Sequence, residues 1–544
     1  MDKLLNKYKE LTKKIKAFHP FQSNAIANIL ERRSTLVIAP TGKGKSLIYQ
    51  IAGQELSGIT IVVSPLIALI SEQTGYLGND RALNLSSTLS FQDQREVLRK
   101  FAKGKYQPKF IFVSPERLQN YFFRAALKMS GVEVSLVVVD EAHCISQWGF
   151  DFRPEYSQIT KFVDYLKSID QQPCLLAMTA TIGQNAKEDI VGEFQIEASS
   201  VFYDQDVVRS ELKLDFIEVD EENEKPDEIV EILKQYKPKK AIIYFYDKAN
   251  LRKINRKLNG LGFSSGTFYS GMSADDKSKN YTKFKSGGLE VLCATTAFGM
   301  GMNIPDIDMV IHHRLPDSIE EYYQQVGRAA RDKTLCPVAN CIALWSKVNF
   351  DYKLDEFIPA VILGVDEIQE VFKKMELSSN ANKIQSMEYS NYISQDLARV
   401  RFELEHYGII KTMGEVNGTP KTIKFKKENK YWNDIIKKMA RGNSFIRAAE
   451  KSDISLKDLI DYVFECELND KIKTFPAMEK KIFFVSSYDE VPLDVCYEIV
   501  DKSMKLADFK EKQVQDLREM LLSDDKMSFI QDYFLSLRST IKEK

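Results

Sequence analysis

Between residues 34 and 182, short apolar runs alternate with stretches of helical period: STLVIAP, GITIVVSP, FIFVSP, LVVVDEAH and CLLAMTAT. The runs are β-branched and almost unbroken by polar residues, as strands buried on both faces of a parallel sheet are. Each ends in a loop rich in hydroxyl, charged or glycine residues. In open α/β sheets ligands gather outside the carboxyl ends of the strands. The same grammar restarts near 205 with KAIIYFYD, SSGTFYSG, LEVLCATTAFGMG and MVIHHRLP, and it runs to about 345. The acidic stretch EVDEENEKPDEIV reads as the start of this second cycle. The pattern predicts an α/β protein with two tandem parallel-sheet units, 1–200 and 201–345. Beyond 345 helical periodicity dominates, with one strand hairpin expected near 410–427. That part divides into 346–448 and a helical, mildly acidic region, 449–544.

At 544 residues the chain is too long for one ordinary domain. Its net charge of −1 gives no global basic signature, so any nucleic-acid site must be a local patch. The N-terminal MDKLLNKYKELTKKIKAF is charged and of helical period, without the apolar stretch of a signal peptide, and no run is long enough to span a membrane. A cytoplasmic protein is expected, nucleoid-associated in a bacterium. Seven cysteines, at 144, 174, 293, 336, 341, 466 and 496, form no CxxC pair, so neither a disulfide framework nor zinc is expected.

Candidate chemistry concentrates in the loops. APTGKGKS (39–46) follows a strand and opens a helix. Backbone N–H groups of Thr41, Gly42, Lys43 and Gly44 at a helix N-terminus would cradle phosphates. Lys45 would reach the β- and γ-phosphates and Ser46 would hold Mg²⁺. In DEAH (140–143), Asp140 would hold the same Mg²⁺ and Glu141 would orient and deprotonate the attacking water. Gln22, in FHPFQ, carries an amide that offers both donor and acceptor, which suits the edge of adenine.

The segment from about 18 to 332 resembles the RecQ family of superfamily 2 helicases. FHPFQ, TGKGKS, SPLIALISEQ, VSPERL, DEAHCISQWGFDFRPEY and MTAT follow in the family's order and spacing. The resemblance implies two RecA-like domains, with ATP and Mg²⁺ between them and single-stranded and duplex DNA as partners. It also implies 3′-to-5′ movement. The run CISQWGFDFRPEY resembles the family's aromatic-rich loop, which couples DNA contact to hydrolysis. Trp148, Phe150 and Phe152 would stack on bases, at roughly 1–3 kcal/mol per base, with Arg153 sensing phosphate or neighbouring acids. Phe150 stands where the family usually has histidine. Thr179 and Thr181 of MTAT would link nucleotide state to DNA movement. Ser64, Gln73, Ser114 and Arg117 would touch the DNA backbone.

In the second unit ATTAFGMGMNIPD and YYQQVGRAARD resemble the family's last two motifs. Gly299 and Gly301 would permit close backbone approach. Asp306 would contact the ribose or polarise the interface. Gln325, Arg328 and Arg331, spaced by three, would share one helical face and meet the γ-phosphate from across the interface. Ala330 stands where the family usually has glycine. His312 and His313 read as packing residues rather than ligands.

The family's usual four-cysteine zinc module has no counterpart here. ISQDLARVRFELEHYGIIKTMGEVNGTPKTIKFKKE (393–428) resembles the recognition helix and wing of a winged helix. Residues 421–447 hold nine Lys or Arg against two acids, with Phe425, Tyr431 and Trp432 interleaved, which suits duplex DNA. Region 449–544 does not match the small helical domain of the family's usual plan, and a helical, mildly acidic segment suits either a protein partner or packing on its own chain. Two rivals stay open beside a DNA helicase: an RNA helicase, and a nucleotide-gated motor subunit of a larger assembly, for instance in anti-phage defence.

Overall fold

The computed structural model describes residues 1–12, 15–86, 89–146, 148, 153–180, 182–206, 208–299, 302, 304–374, 384–388, 395–417, 420–425, 455–476 and 480–539. Of the expected site residues, Phe150, Phe152, Thr181 and Gly301 lie outside these, as do Tyr431 and Trp432 and most of the basic stretch 421–447.

The first unit is built on seven parallel strands. They are β1 (Thr35–Ile38), β2 (Ile59–Val63), β3 (Ala82–Asn84), β4 (Phe110–Val113), β5 (Val134–Val139), β6 (Cys174–Thr179) and β7 (Val201–Tyr203), in the spatial order β3-β4-β2-β5-β6-β1-β7. β1, β2, β4, β5 and β6 are buried along their whole length, because helices cover both faces. The sheet takes in Val201–Tyr203, a little past the expected boundary at 200, because β7 pairs with β1.

The second unit has six parallel strands. These are β8 (Leu212–Glu218), β9 (Ala241–Tyr244), β10 (Ser265–Phe268), β11 (Val291–Ala294), β12 (Met309–His312) and β13 (Ala339–Trp345), ordered β10-β11-β9-β12-β13-β8. The expected α/β architecture of two RecA-like units followed by a mainly helical region is therefore present.

The hairpin expected at 410–427 is not. Among the described residues five strands lie in this part: β14 (Ile384–Glu388), β15 (Ile410–Asn417), β16 (Pro420–Phe425), β17 (Ile472–Pro476) and β18 (Lys480–Ser486). β15 pairs antiparallel with β18, and β16 with β17, so neither predicted strand pairs with the other. The register runs from Ile410 opposite Ser486, through Asn417 opposite Lys480 and Pro420 opposite Pro476, to Phe425 opposite Ile472. The Asn-Gly signal at 417–418 is a local turn preference. It loses to a partner segment of matching length and apolar character far along the chain. The helix Gln395–His406 forms, but β15 and β16 do not make a wing behind it, and a winged helix is not established.

The C-terminal residues do not stand apart as a fourth region either. The helix Leu456–Leu468 buries Leu459, Ile460, Val463 and Phe464 in the core of the first unit. The 30-residue helix Leu493–Leu522 and the helix Lys526–Ser539 add Ala507, Val514, Leu517, Met520, Ile530 and Phe534 to the core of the second. The last helix also spans the two units. Tyr533 Oη donates to Glu320 at 2.9 Å, Arg538 to the Asp204 carbonyl at 2.6 Å, and Lys187 Nζ to the Leu537 carbonyl at 3.2 Å. Among the described residues no helix is long and apolar enough to cross a membrane.

Candidate nucleotide site between the two units

The loop after β1 turns at Gly42 and Gly44, with φ of +86° and +72°, where a side chain would be strained. It delivers Lys45 as the first residue of the helix Lys45–Glu55. Lys45 Nζ donates to the Ala39 and Pro40 carbonyls at 2.5 and 3.2 Å. Gln22 is buried behind the loop. Its amide donates to the Lys43 and Gly44 carbonyls at 3.1 and 3.0 Å, and its carbonyl accepts from the His19 N–H at 2.9 Å. Gln22 thus braces the phosphate loop directly.

Asp140 and Glu141 follow β5. Ser64, buried at the end of the neighbouring β2, places its hydroxyl 3.4 Å from the Asp140 carboxylate. Glu141 has φ +50°, a left-handed conformation that is costly for a residue with a Cβ and that clusters at functional sites. Burial, and then the Glu141 charge, push the Asp140 carboxyl up to about 7. Burial pulls the Lys45 ammonium down to about 8, against the attraction of both carboxylates.

The second unit contributes from the helix Ile319–Val326 and the turn after it. Gln325 accepts from His312 Nε2 at 2.8 Å and donates to Glu321 at 2.9 Å. Arg328 is buried, and its Nε has no hydrogen-bond partner among the described residues. Arg331 donates to the Met302 carbonyl at 2.6 Å. Arg328 and Arg331 both act electrostatically on Lys45, Arg328 acts on Glu141, and Arg331 on Glu72 of the first unit. Burial and the neighbouring Arg328 and Arg209 push the Arg331 guanidinium down to about 9. Three cations from two units therefore crowd around two carboxylates. A polyanion seated there would relieve both the desolvation and the like-charge repulsion, and the residues fit a nucleotide triphosphate with its metal.

The units touch at this point. Thr41 Oγ1 donates to the Gly327 carbonyl at 3.1 Å, and a Cβ built on Gly327 would lie 2.7 Å from Thr41 Oγ1. Gly327→Ala is expected to lower ATP turnover by about tenfold or more by holding the units apart, since misplacement of about an ångström can cost a hundredfold. Gly327 has an ordinary φ of −62°, but the added Cβ would also lie 3.0 Å from the Tyr323 carbonyl, so a small drop in thermal melting is expected beside the loss of turnover. Parent-like turnover would show that this contact is not needed.

His312 is buried and stacked on Tyr244, with ring centroids 5.4 Å apart. Burial pushes His312 and His313 down to about 4 each. Both imidazoles are neutral at neutral pH, and His312 carries its proton on Nε2, facing the Gln325 carbonyl. Between pH 6.5 and 4 the unfolded chain binds protons that the folded chain refuses. Stability from each is whole above about 6.5 and falls as the pH drops toward 4, by up to about 1.4 kcal/mol per pH unit per histidine. Denaturant midpoints at pH 7 and 5 should separate by less in His312→Asn than in the parent. Equal separations would contradict a buried neutral His312.

The other expected residues have definite places. Thr179 Oγ1 is 2.9 Å from His143 Nδ1, which ties the loop after β6 to the DEAH segment. Gln73 accepts from Tyr49 and Gln50 at 3.2 and 2.7 Å. Ser114 precedes the short helix Pro115–Gln119, on which Arg117 is half-buried. The Arg153 N–H donates to the Cys144 carbonyl at 2.8 Å. Trp148 is half-buried and packs edge-on against Phe509, on the helix Leu493–Leu522, at 5.2 Å. Asp306 is held by Lys240 Nζ at 2.8 Å within its own unit.

Three features escaped sequence reasoning. Tyr156 is a fully buried anchor whose hydroxyl donates to the Asp140 carbonyl at 2.7 Å. Lys43 pairs with Asp204 and Asp206, and buried Arg209 grips the turn that carries Arg328. The pairings of Lys43 and Arg209 cross more than a hundred residues, so no local pattern signals them. Among the described residues no three His, Cys, Asp or Glu side chains gather as a metal cluster, and the seven cysteines are buried, none of them in a disulfide.

Comparison with known proteins finds a helicase family over each unit. The family model for DEAD/DEAH box helicases matches residues 19–189, and that for the helicase conserved C-terminal domain matches 224–333. The chain is 31% identical to a probable ATP-dependent DNA helicase RecS of Bacillus subtilis, over 74% of this chain and 75% of that protein. It is 35% identical to the ATP-dependent DNA helicase RecQ of Pasteurella multocida, over 58% of this chain but only 48% of the relative. Among solved structures, the helicase Lhr of Mycobacterium smegmatis, bound to single-stranded DNA and AMP-PNP, superposes with a TM-score of 0.51 at 17% identity. That match covers 73% of this chain and 56% of the other, and it speaks to the fold alone. On the RecS match and the shared helicase domains, this chain belongs to the RecQ family of superfamily 2 ATP-dependent DNA helicases.

Proposed function

We propose that the chain hydrolyses ATP in the cleft between its two units and uses the cycle to move 3′ to 5′ along single-stranded DNA and part a duplex. The observation that carries this reading is the cluster of Lys45, Arg328 and Arg331 about Asp140 and Glu141, assembled from both units, with Arg328 and Glu141 buried in it. Lys45 binds the β- and γ-phosphates. Ser46 and Asp140 would hold Mg²⁺, which would supply charge neutralisation on the phosphates. Glu141 takes the proton of the attacking water. Arg328 and Arg331 meet the charge that grows on the γ-phosphate, a role worth on the order of 10³–10⁵ in rate. The nucleotide draws the units together through both sets of residues and hydrolysis releases them. Two DNA grips that differ in affinity between these states then advance along the strand. His143 and Thr179 connect the hydrolytic carboxylates to the loop after β6, a route by which the nucleotide state reaches the DNA-contacting loops.

One observation favours a second reading. Trp148, the ring offered to DNA, is packed on Phe509 of the chain's own C-terminal helix, which suits a motor whose output passes to the C-terminal segment or its partner. ATP turnover without nucleic acid and with single-stranded DNA, duplex DNA or RNA separates the readings, with unwinding of 3′- and 5′-tailed duplexes alongside. Stimulation by single-stranded DNA with unwinding from a 3′ tail is expected. Stimulation by RNA alone would make it an RNA helicase. Turnover indifferent to both would make it a motor for another partner.

A further inference from the structure

Residues 204–211 connect the two sheets, from the end of β7 to the start of β8. None of the sequence motifs lies here, yet the connector reaches the nucleotide site from both sides. At its start, Lys43 of the phosphate loop lies 3.2 Å from Asp204 and 2.9 Å from Asp206. Further on, Arg209 is 8% exposed. Its guanidinium donates to the Gly327 carbonyl at 3.0 Å and to the Ala330 carbonyl. Its backbone N–H donates to the Tyr323 hydroxyl at 2.6 Å. The Gly327 carbonyl is the same one that accepts from Thr41 of the phosphate loop.

Those two carbonyls bracket Arg328 and immediately precede Arg331. The backbone there needs holding, because the helix stops at Val326 and Ala330 sits at φ +47°. A left-handed residue with a Cβ persists only where its surroundings over-determine it. Here the holding groups are the Arg209 guanidinium on the Ala330 carbonyl and the Ile307 carbonyl, which accepts from the Ala330 N–H at 2.9 Å. A planar guanidinium suits the task, since its rigid fork can serve two carbonyls at once where an ammonium is a single point charge. The placement is costly: Arg209 is a buried cation that acts repulsively on Arg331.

We propose that Arg209 is a positioning residue for the turn bearing Arg328 and Arg331, and that the connector fastens this turn to the phosphate loop through Lys43. The proposal rests on the reading of those arginines as the groups that meet the γ-phosphate. Steady-state ATP turnover with saturating single-stranded DNA tests it in the full chain, its Arg209→Gln, Arg209→Lys and Arg328→Ala variants, and the Arg209→Gln/Arg328→Ala pair. In Arg209→Gln, kcat is expected to fall by about tenfold or more while the KM for ATP stays within a few-fold of the parent, the signature of a lost transition-state contact. Arg209→Lys should lie between the two. The pair should lose less than the product of the two single losses, because Arg328 is no longer there to position and only Arg331 is. If Arg209→Gln does not fold, Tyr323→Phe, which deletes one hydroxyl and no charge, should show the same drop in kcat at unchanged KM. Parent-like turnover in Arg328→Ala would overturn the reading of the arginines. A slow Arg328→Ala would overturn the positioning role alone if Arg209→Gln, or Tyr323→Phe in its place, kept the parent kcat. Losses that simply multiply in the pair would do the same.

Discussion

Glu141→Gln is expected to cut kcat for ATP by about 10²–10⁴-fold, the range that a positioned general base contributes. The substitution keeps the size and much of the hydrogen-bonding capacity of the side chain but removes the proton acceptor. Glu141 is buried, in a left-handed conformation, 3.6 Å from His143 and within the field of Arg328. Nucleotide binding should persist, because Lys45 and the loop amides that hold the phosphates are untouched. Binding of a fluorescent nucleotide alongside turnover separates the two effects. A variant that binds poorly would assign Glu141 to the metal or the fold, and one that turns over normally would place the base elsewhere.

Glu467→Ala is expected to destabilise the chain by about 3–5 kcal/mol, the cost of removing one partner from a buried ion pair. Glu467 is fully buried on the helix Leu456–Leu468, between Arg95 and Arg99 of the helix Phe91–Ala102. Burial, and to a smaller extent the Arg99 charge, lower the Arg95 pKa, and Glu467 acts against that shift. The Arg95 guanidinium also lies over the rings of Phe122 and Phe464, at 4.7 and 5.5 Å. Without the carboxylate, two guanidinium groups remain at an apolar interface, and the helix should lose hydrogen-exchange protection before either sheet does. Replacing Arg95, Arg99 and Glu467 together by apolar residues should recover most of the loss, since a well-packed apolar set is often no worse than a buried ion network. Unchanged protection of 456–468 in Glu467→Ala would mean that apolar packing alone holds this helix.

The fold and the site were legible to different depths. The parallel strands announced themselves because a strand covered on both faces has to be apolar at every position, as VSLVVV at 134–139 is. The phosphate loop was legible because its glycines and lysine act at fixed spacing within one turn of chain. The aromatic-rich loop was legible in part. Tyr156, which shares the run with the stacking candidates, is a buried anchor of Asp140 and not an exposed ring. Nothing in FRPEY distinguishes the two, because that difference lies in the Asp140 carbonyl waiting above it.

By itself, then, the sequence determined two parallel-sheet units and the motif residues that line their facing edges, through patterns that act over a few residues. Tertiary structure decided the rest. It paired 410–425 with 472–486 instead of folding it into a hairpin, and it seated the C-terminal helices in the cores of both units. It brought Arg209 onto the turn that carries Arg328. Each of these outcomes joins groups roughly 50 to 370 residues apart. They are chosen by which distant partner best buries an apolar face or satisfies a charge, and a competition of that kind leaves no mark in the local pattern of either segment.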